Sequence, residues 1–258
     1  MRNILTTLFL ATLFLAVSFG GLSGLRAQEK PGRLPDLPVR NEIHRQYRLA
    51  PNVTVEISMI AGPVEIDTAS GESAEINFVD SAETQADLDC SHIRIEQTAG
   101  KLVIRSEALC PIVKVRQRVM LKLPRNVNLD LKNIAGDVRL GPSEAMVRLE
   151  SIAGHVRTRS LQAAEMSSLA RGLSMEVDRI GERGVRLSSI TGGIDLGLSD
   201  NLNAEFVANS IIGNVVSDSA NIKILTGGRS DYEARIGSGG YRISISSVVG
   251  GIRLHKLS

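Results

Sequence analysis

Between Val127 and Thr158 apolar and polar residues alternate on either side of a glycine, twice over. VNLDLKNIAGDVRL supplies Leu129, Leu131, Ile134, Val138 and Leu140 around Gly136. VRLESIAGHVRT supplies Val147, Leu149, Ile152 and Val156 around Gly154, with Thr158 as an imperfect last member. Period-two alternation interrupted by glycine predicts two short strands joined at a tight corner. The template recurs. SLARG (168–172) is a degenerate copy with Arg171 in the glycine column, and SITG (189–192), SIIG (210–213) and SVVG (247–250) are good ones. An earlier copy, NVTVEISMIAGPVEI, carries Gly62. A unit of about 20 residues that cannot bury its own apolar face is a repeat, and repeats set the architecture.

The corner glycines Gly62, Gly136, Gly154, Gly192, Gly213 and Gly250 are therefore expected to be structural, either adopting positive φ or leaving room for a turning backbone. Asn133, Ser151, Ser168, Ser189, Ser210 and Ser247 form a polar column at the corner entrance, where their side chains are expected to satisfy backbone groups. The fold predicted is all-β: a β-solenoid or β-helix-like stack of short strands with an antiparallel β layer at its amino-terminal end. AEINFVD (74–80), HIRIEQTAGKLVIRSE (92–107, with a hairpin turn at 98–101) and KVRQRVMLKLP (114–124) supply that layer, which would cap the stack. Residues 220–236 do not follow the template and are expected to form a loop or distorted coil. The boundaries that follow are a segment 1–27, a Pro-rich charged linker 28–42, the amino-terminal layer with the first repeat at 43–124, and the repeats at 125–258, the last two forming one continuous domain.

Segment 1–27 is read as a secretory signal peptide. Arg2 precedes an apolar run, Ile4 to Phe19, and Leu25-Arg26-Ala27 offers a cleavage site with Leu25 departing from the small residue usual there. An uncleaved anchor is the alternative, although the run is shorter than the ~20 residues of a spanning helix. Export places the chain in the periplasm or outside the cell, where a disulfide persists. The two cysteines, Cys90 and Cys110, flank the hairpin almost symmetrically about Gly100 and are expected to be bridged. Aromatic residues are scarce, with no Trp, three Tyr and five Phe. Scarce rings suit a thin core of Val, Ile and Leu and argue against stacking of sugars or nucleic-acid bases.

The corners, together with GSGGYRISISSVVGGIRL (237–254) and LKLPRNVNLDLKNIAGDVRL (121–140), resemble the bacterial putative-adhesin family of envelope β-strand-repeat proteins across residues 45–256. That resemblance implies an exported, non-catalytic envelope domain with an adhesin-like binding or scaffold role, and it supplies no catalytic residues. Two other roles stand beside it: a scaffold or sensor of envelope stress that binds another protein, and a polysaccharide-acting β-helix enzyme.

The chemistry such an enzyme needs is hard to find. Asp178 with Asp195, or Glu176 with Arg186, are the pairs that could be fitted to it. The four histidines, His44, His92, His155 and His255, lack metal-ligand spacing, and Asp137 and Asp195 do not recur in register as a calcium-binding roll requires. No cofactor or metal is expected. Net charge is only +2, but basic residues dominate from Lys114 to Arg159. Arg139 and Arg157 share a repeat column, and with Arg148 they are the candidate site for an anionic surface polymer. The partners expected are such a polymer or an unidentified envelope protein, with no nucleic acid, and with membrane contact only through the signal segment if it stays attached.

Overall fold

The computed structural model describes residues 37–257 except 219, 220 and 229. The signal-peptide reading and most of the linker lie outside these residues. The first strands are β1 (Val39–Arg48), β2 (Thr54–Ile60), β3 (Val64–Ala69) and β4 (Ser73–Ala82). A one-turn helix α1 (Gln85–Leu88) leads to β5 (Ser91–Gln97), β6 (Lys101–Ala108) and β7 (Arg116–Pro124). The repeats follow as β8 (Asn128–Ile134), β9 (Val138–Leu140), β10 (Ser143–Ile152), β11 (Val156–Thr158), β12 (Leu161–Leu169), β13 (Leu173–Val177), β14 (Val185–Thr191) and β15 (Ile194–Leu198). Last come β16 (Ala204–Ile212), β17 (Val215–Ser217), β18 (Ile222–Gly227), β19 (Tyr232–Ile236), β20 (Tyr241–Val249) and β21 (Ile252–Lys256).

These strands form two large mixed sheets. The first runs β1-β4-β7-β3-β9-β11-β13-β15-β21-β17 and the second β18-β19-β16-β20-β14-β12-β10-β8-β2-β6-β5. Each corner carries the chain from the second sheet to the first, and successive copies pair in parallel with matching residues opposed: Leu129 with Val147, Val138 with Val156, Leu187 with Ile245. One core lies between the sheets, made mostly of buried Val, Ile and Leu with Phe78 and Phe206 as its largest fully buried members. The sheets are separate, with open ends. The antiparallel strands expected as an amino-terminal layer are shared between them: β1 and β4 extend the first beyond β7, and β5 extends the second beyond β6. Residues 39–42, assigned to the linker from composition, belong to β1. Only Val39, Ile43 and Tyr47 of that edge strand are half-buried, which hides its alternation.

The corner glycines serve both uses expected of them, with positive φ at Gly192, Gly213 and Gly250 and room for backbone at Gly136 and Gly154, but the polar column works differently. In every copy its residue is left-handed: Asn133, Ser151, Ser168, Ser189, Ser210 and Ser247 have φ of 53–59°, and Met59 takes the same place in the first copy at 61°. Pairing skips this residue on neighbouring strands, so the left-handed bulges stack on one another. The backbone groups displaced from the strand ladder are satisfied by the next coil's backbone. Val64 N–H donates to Asp137 O at 2.9 Å, Val138 N–H to His155 O at 3.0 Å, Val156 N–H to Gly172 O at 3.2 Å, and Leu173 N–H to Gly193 O at 3.1 Å. Glycine is needed chiefly for the closeness of this stacking. A Cβ on Gly136 would stand 2.2 Å from the Gly62 carbonyl oxygen, and one on Gly154 2.2 Å from that of Gly136. Arg171 keeps the glycine column of its coil, and Gly172 beside it has φ of 94°.

Stacking does not follow chain order at the far end. The last copy, β20–β21, lies between β14–β15 and β16–β17. Residues 222–236 of the stretch expected as a loop or distorted coil form the hairpin β18–β19, antiparallel to β16 and bulged between Ile224 and Thr226. At the near end Cys90 and Cys110 are disulfide-bonded with Cα atoms 5.1 Å apart, just beyond the paired ends of β5 and β6. Closing a loop of this length contributes about 3 kcal/mol, mainly by restricting the unfolded chain.

Two substitutions test the corner. Gly136→Val should destabilise by about 1–3 kcal/mol, because backbone rather than a yielding side chain meets the new atoms. Met59→Asn should stabilise by roughly 0.5–1 kcal/mol, since Asn tolerates the left-handed region better. Urea denaturation midpoints measure both, and unchanged midpoints would show that neither the close approach nor the left-handed backbone is limiting.

Candidate functional site

Three-residue strands in the first sheet direct two side chains inward and one outward. Val138 and Leu140 are buried while Arg139 is exposed, and Val156 and Thr158 are buried while Arg157 is exposed. Parallel register then builds an outward column across the sheet: Glu65, Arg139, Arg157, Ser174, Asp195 and Arg253. A second column along the strands holds Glu176, Gly197 and His255 opposite one another. Arg159 follows β11 on the same face as Arg157 by strand alternation. Arg139, Arg157, Arg159, Ser174, Glu176, Asp195, Gly197 and His255 line a shallow groove of about 620 Å³, with Leu257 at one side and Glu65 and Arg253 beyond it.

Charge along the groove is uneven. His255 Nε2 lies 3.4 Å from Asp195 Oδ1, and Arg253 is held by Asp218 at 2.8 Å, outside the groove. The hydrogen bond from Arg253 to Asp218, together with that carboxylate's charge, pushes the guanidinium pKa further up. Among the described residues, no carboxylate lies within 4 Å of the guanidinium groups of Arg139, Arg157 or Arg159. Adjacent parallel strands stand ~4.8 Å apart, so Arg139 and Arg157 are like charges on neighbouring rungs without a countercharge in contact. His155, the residue after the corner glycine Gly154, is half-buried. Its Nδ1 donates to the Arg171 carbonyl at 3.2 Å, which leaves Nε2 3.1 Å from the Ser174 hydroxyl on the groove floor.

The structure thus brings together two of the three arginines singled out from sequence. Arg148 is on β10 of the other sheet, where it meets Glu165 at 3.0 Å, and the same carboxylate takes Arg186 at 3.1 Å. Arg159 was not singled out, although its place two residues after Arg157 is a period-two signal. The carboxylate pairs considered for polysaccharide chemistry are not assembled. Glu176 and Arg186 are on different sheets. Asp178 lies beyond the end of β13, four positions along the strand from the Ser174–Asp195 register, and accepts the Ser160 hydroxyl. Among the described residues, no group of three or more His, Cys, Asp or Glu is placed to hold a metal ion.

A second polar cluster is buried where the amino-terminal strands meet the first corner. Gln117 accepts from Ala61 N–H at 2.8 Å, and its amide nitrogen lies 3.1 Å from Asp80 Oδ1, 3.1 Å from Ser91 Oγ and 2.8 Å from Ser106 Oγ. Asp80 and Gln117 are 3% and 2% exposed, deep enough that desolvation governs the acid. Burial raises the Asp80 pKa from 3.8 to about 6, and the Gln117 hydrogen bond opposes the shift only in part. Both residues occupy inward positions of alternating strands, after Ala74, Ile76 and Phe78 and between Val115 and Val119. That break in the pattern is legible in the sequence.

The raised acid sets a pH dependence. The folded protein binds the Asp80 proton more tightly than the unfolded chain, so this stability is fully present below pH 3.8 and is lost as pH rises through about 6. Asp80→Asn should remove that slope and stabilise the protein at pH 8 by on the order of 2 kcal/mol. Denaturation midpoints of both proteins between pH 4 and 8 would show it, and parallel curves would mean that Asp80 does not titrate in this range.

No protein-family model and no curated protein matches the chain. Solved structures do resemble it. A putative cell adhesion protein from Clostridium sporogenes aligns at 9% identity and a TM-score of 0.38, over 84% of this chain and 100% of that one. A putative lipid binding protein from Parabacteroides distasonis aligns at 11% identity and a TM-score of 0.36, over 84% and 97%. A putative adhesin from Bacteroides fragilis aligns at 11% identity and a TM-score of 0.34, over 84% of this chain and 99% of that one.

Proposed function

We propose that this chain is an exported, non-catalytic binding module of the cell envelope, a β-solenoid-like stack that holds an anionic surface polymer along the outward face of its first sheet. The observation that carries the reading is the set of exposed Arg139, Arg157 and Arg159 at one groove, none of them with a carboxylate within 4 Å among the described residues. Arginine stays charged at any physiological pH and presents a planar fork of donors suited to carboxylate or phosphate. Repeating rungs offer repeating contacts, which suits an extended polymer better than a compact ligand. The small side chain of Ser174 keeps the floor low beside Arg157, whereas Leu257 and His255 close over Gly197. The Cys90–Cys110 bridge fits an oxidising compartment, the periplasm or cell exterior.

A protein-binding scaffold role is the second reading, favoured by apolar exposure at the far end of the stack. Ile212, Val216, Ile224, Leu225 and Val249 are all exposed there, beside a pocket of about 290 Å³ lined by Ile211, Val215 and Tyr232.

Retention of the purified chain on immobilised polygalacturonate and on isolated cell-wall and outer-membrane fractions, measured across salt, tests the first reading. Retention should be strong at low salt and fall as salt rises. Joint replacement of Arg139, Arg157 and Arg159 by Ser should weaken it about tenfold or more. Arg148→Ser, on the other sheet, should leave it unchanged. Equal retention of the triple variant, or none at low salt, would exclude the groove as the binding site.

A further inference from the structure

The two sheets do not stop together at the far end. The coil β16–β17 belongs to both, but only β16 is followed by further strands, β19 and then β18. The outer edge of β17 pairs with no strand among the described residues, so the second sheet overhangs the first by two strands. Cross-strand partners of an antiparallel pair share a face, and the register Ile222–Ile236 and Ile224–Ala234 turns both isoleucines of β18 toward the core side. Ala234 and Ile236 are buried, whereas Ile222 is half-buried and Ile224 is 57% exposed. Between the start of β17 and the β18–β19 turn is the cavity of about 290 Å³, with Ile211, Val215 and Tyr232 in its wall.

What would complete this end is fixed by the fold: two strands that continue the first sheet past β17 and turn apolar residues toward Ile222 and Ile224. The chain contains one such pair, β18–β19 itself. We propose that two copies of this chain join far end to far end about a two-fold axis parallel to the strands, an inference that rests on the protein-binding reading above and names its partner. That axis reverses the stack and exchanges the sheets, so each overhang lies where the other copy's first sheet stops short. β18 of each copy then extends the other's β17, and the two overhangs pack face to face. Ile224 enters the cavity beside the partner subunit's Val215. The positions along the strands agree, because Ile211 N–H donates to Ser230 O at 3.1 Å and so holds the hairpin turn at the corner from which β17 starts. An isologous joint of this kind closes on itself and gives a dimer rather than a filament. Head-to-tail stacking fits worse, since at the near end β1 carries the first sheet only one strand past β5 and the steps are unequal. The edge there is also blunted by the exposed charges of Arg40, Glu42 and Arg45, whereas β17 and β18 have no proline and no inward charge.

Sedimentation equilibrium of the purified chain should show a dimer at about 100 μM. Ile224→Asp, at an exposed position, should keep the urea midpoint and raise the dissociation constant about tenfold or more. The two native cysteines are bonded to each other, so an introduced thiol is the reactive one. Size-tagged Val215→Cys chains mixed with untagged Ile224→Cys chains should form tagged–untagged disulfide dimers on mild oxidation. Size-tagged Ile112→Cys chains, with the thiol at the near end, should form none with Ile224→Cys. A monomer at that concentration, a dimer that Ile224→Asp leaves as tight, or cross-linking between Ile112→Cys and Ile224→Cys overturns the proposal. A monomer whose Ile224→Asp variant loses capture of another envelope protein would end the second-copy proposal and leave the protein-binding reading standing. A monomer whose capture is unchanged by Ile224→Asp would end both.

Discussion

The close approach of one corner backbone to the next is the constraint on which the rest depends. A glycine lies under the preceding glycine's carbonyl with no room for a Cβ, and the left-handed residue before it turns the chain from one sheet to the other. Stacked bulges keep their carbonyls and amides aligned coil to coil, so each turn is hydrogen-bonded although it leaves the strand ladder. The Ser column is thereby explained by backbone conformation, and Asn133 is its best-suited member.

Register follows from that stacking, and surface chemistry follows from register. Once corners are superposed, residues at equal distance from the glycine stand on adjacent rungs. Arg139 and Arg157 are each one residue past the first inward Val of their strand, so they must be neighbours. Arg148 belongs to a strand before its corner and must face away on the other sheet. The groove is a product of the repeat and of the substitutions in its outward columns, with small residues at Ser174 and Gly197 and an acid at Asp195.

Much of this was legible in the sequence. Alternation around the glycines marked the strands and corners, and symmetric placement about Gly100 marked the disulfide. Less was visible where tertiary context overrides local pattern. Grouping Arg148 with Arg139 and Arg157 treated sequence proximity as spatial proximity, which a chain that changes sheets at every corner does not allow. Asp80 and Gln117 were read as ordinary strand residues because their meaning lies in each other, across strands 37 residues apart. The first four residues of β1 looked like linker because an edge strand needs few apolar residues. The hairpin β18–β19 was hidden by a bulge that breaks its alternation.

The placement of β20–β21 between two earlier coils has a consequence for vectorial folding. Each coil up to β15 can dock as soon as it emerges, because its neighbour is already present. The coil β16–β17 cannot reach its final place when it emerges, since the rung it rests on, β20–β21, is made later. The growing protein must hold an unfinished sheet edge until β20 and β21 arrive and wedge between partners. These two strands therefore act as a keystone, and their loss would unseat a coil whose paired residues lie 37 positions upstream.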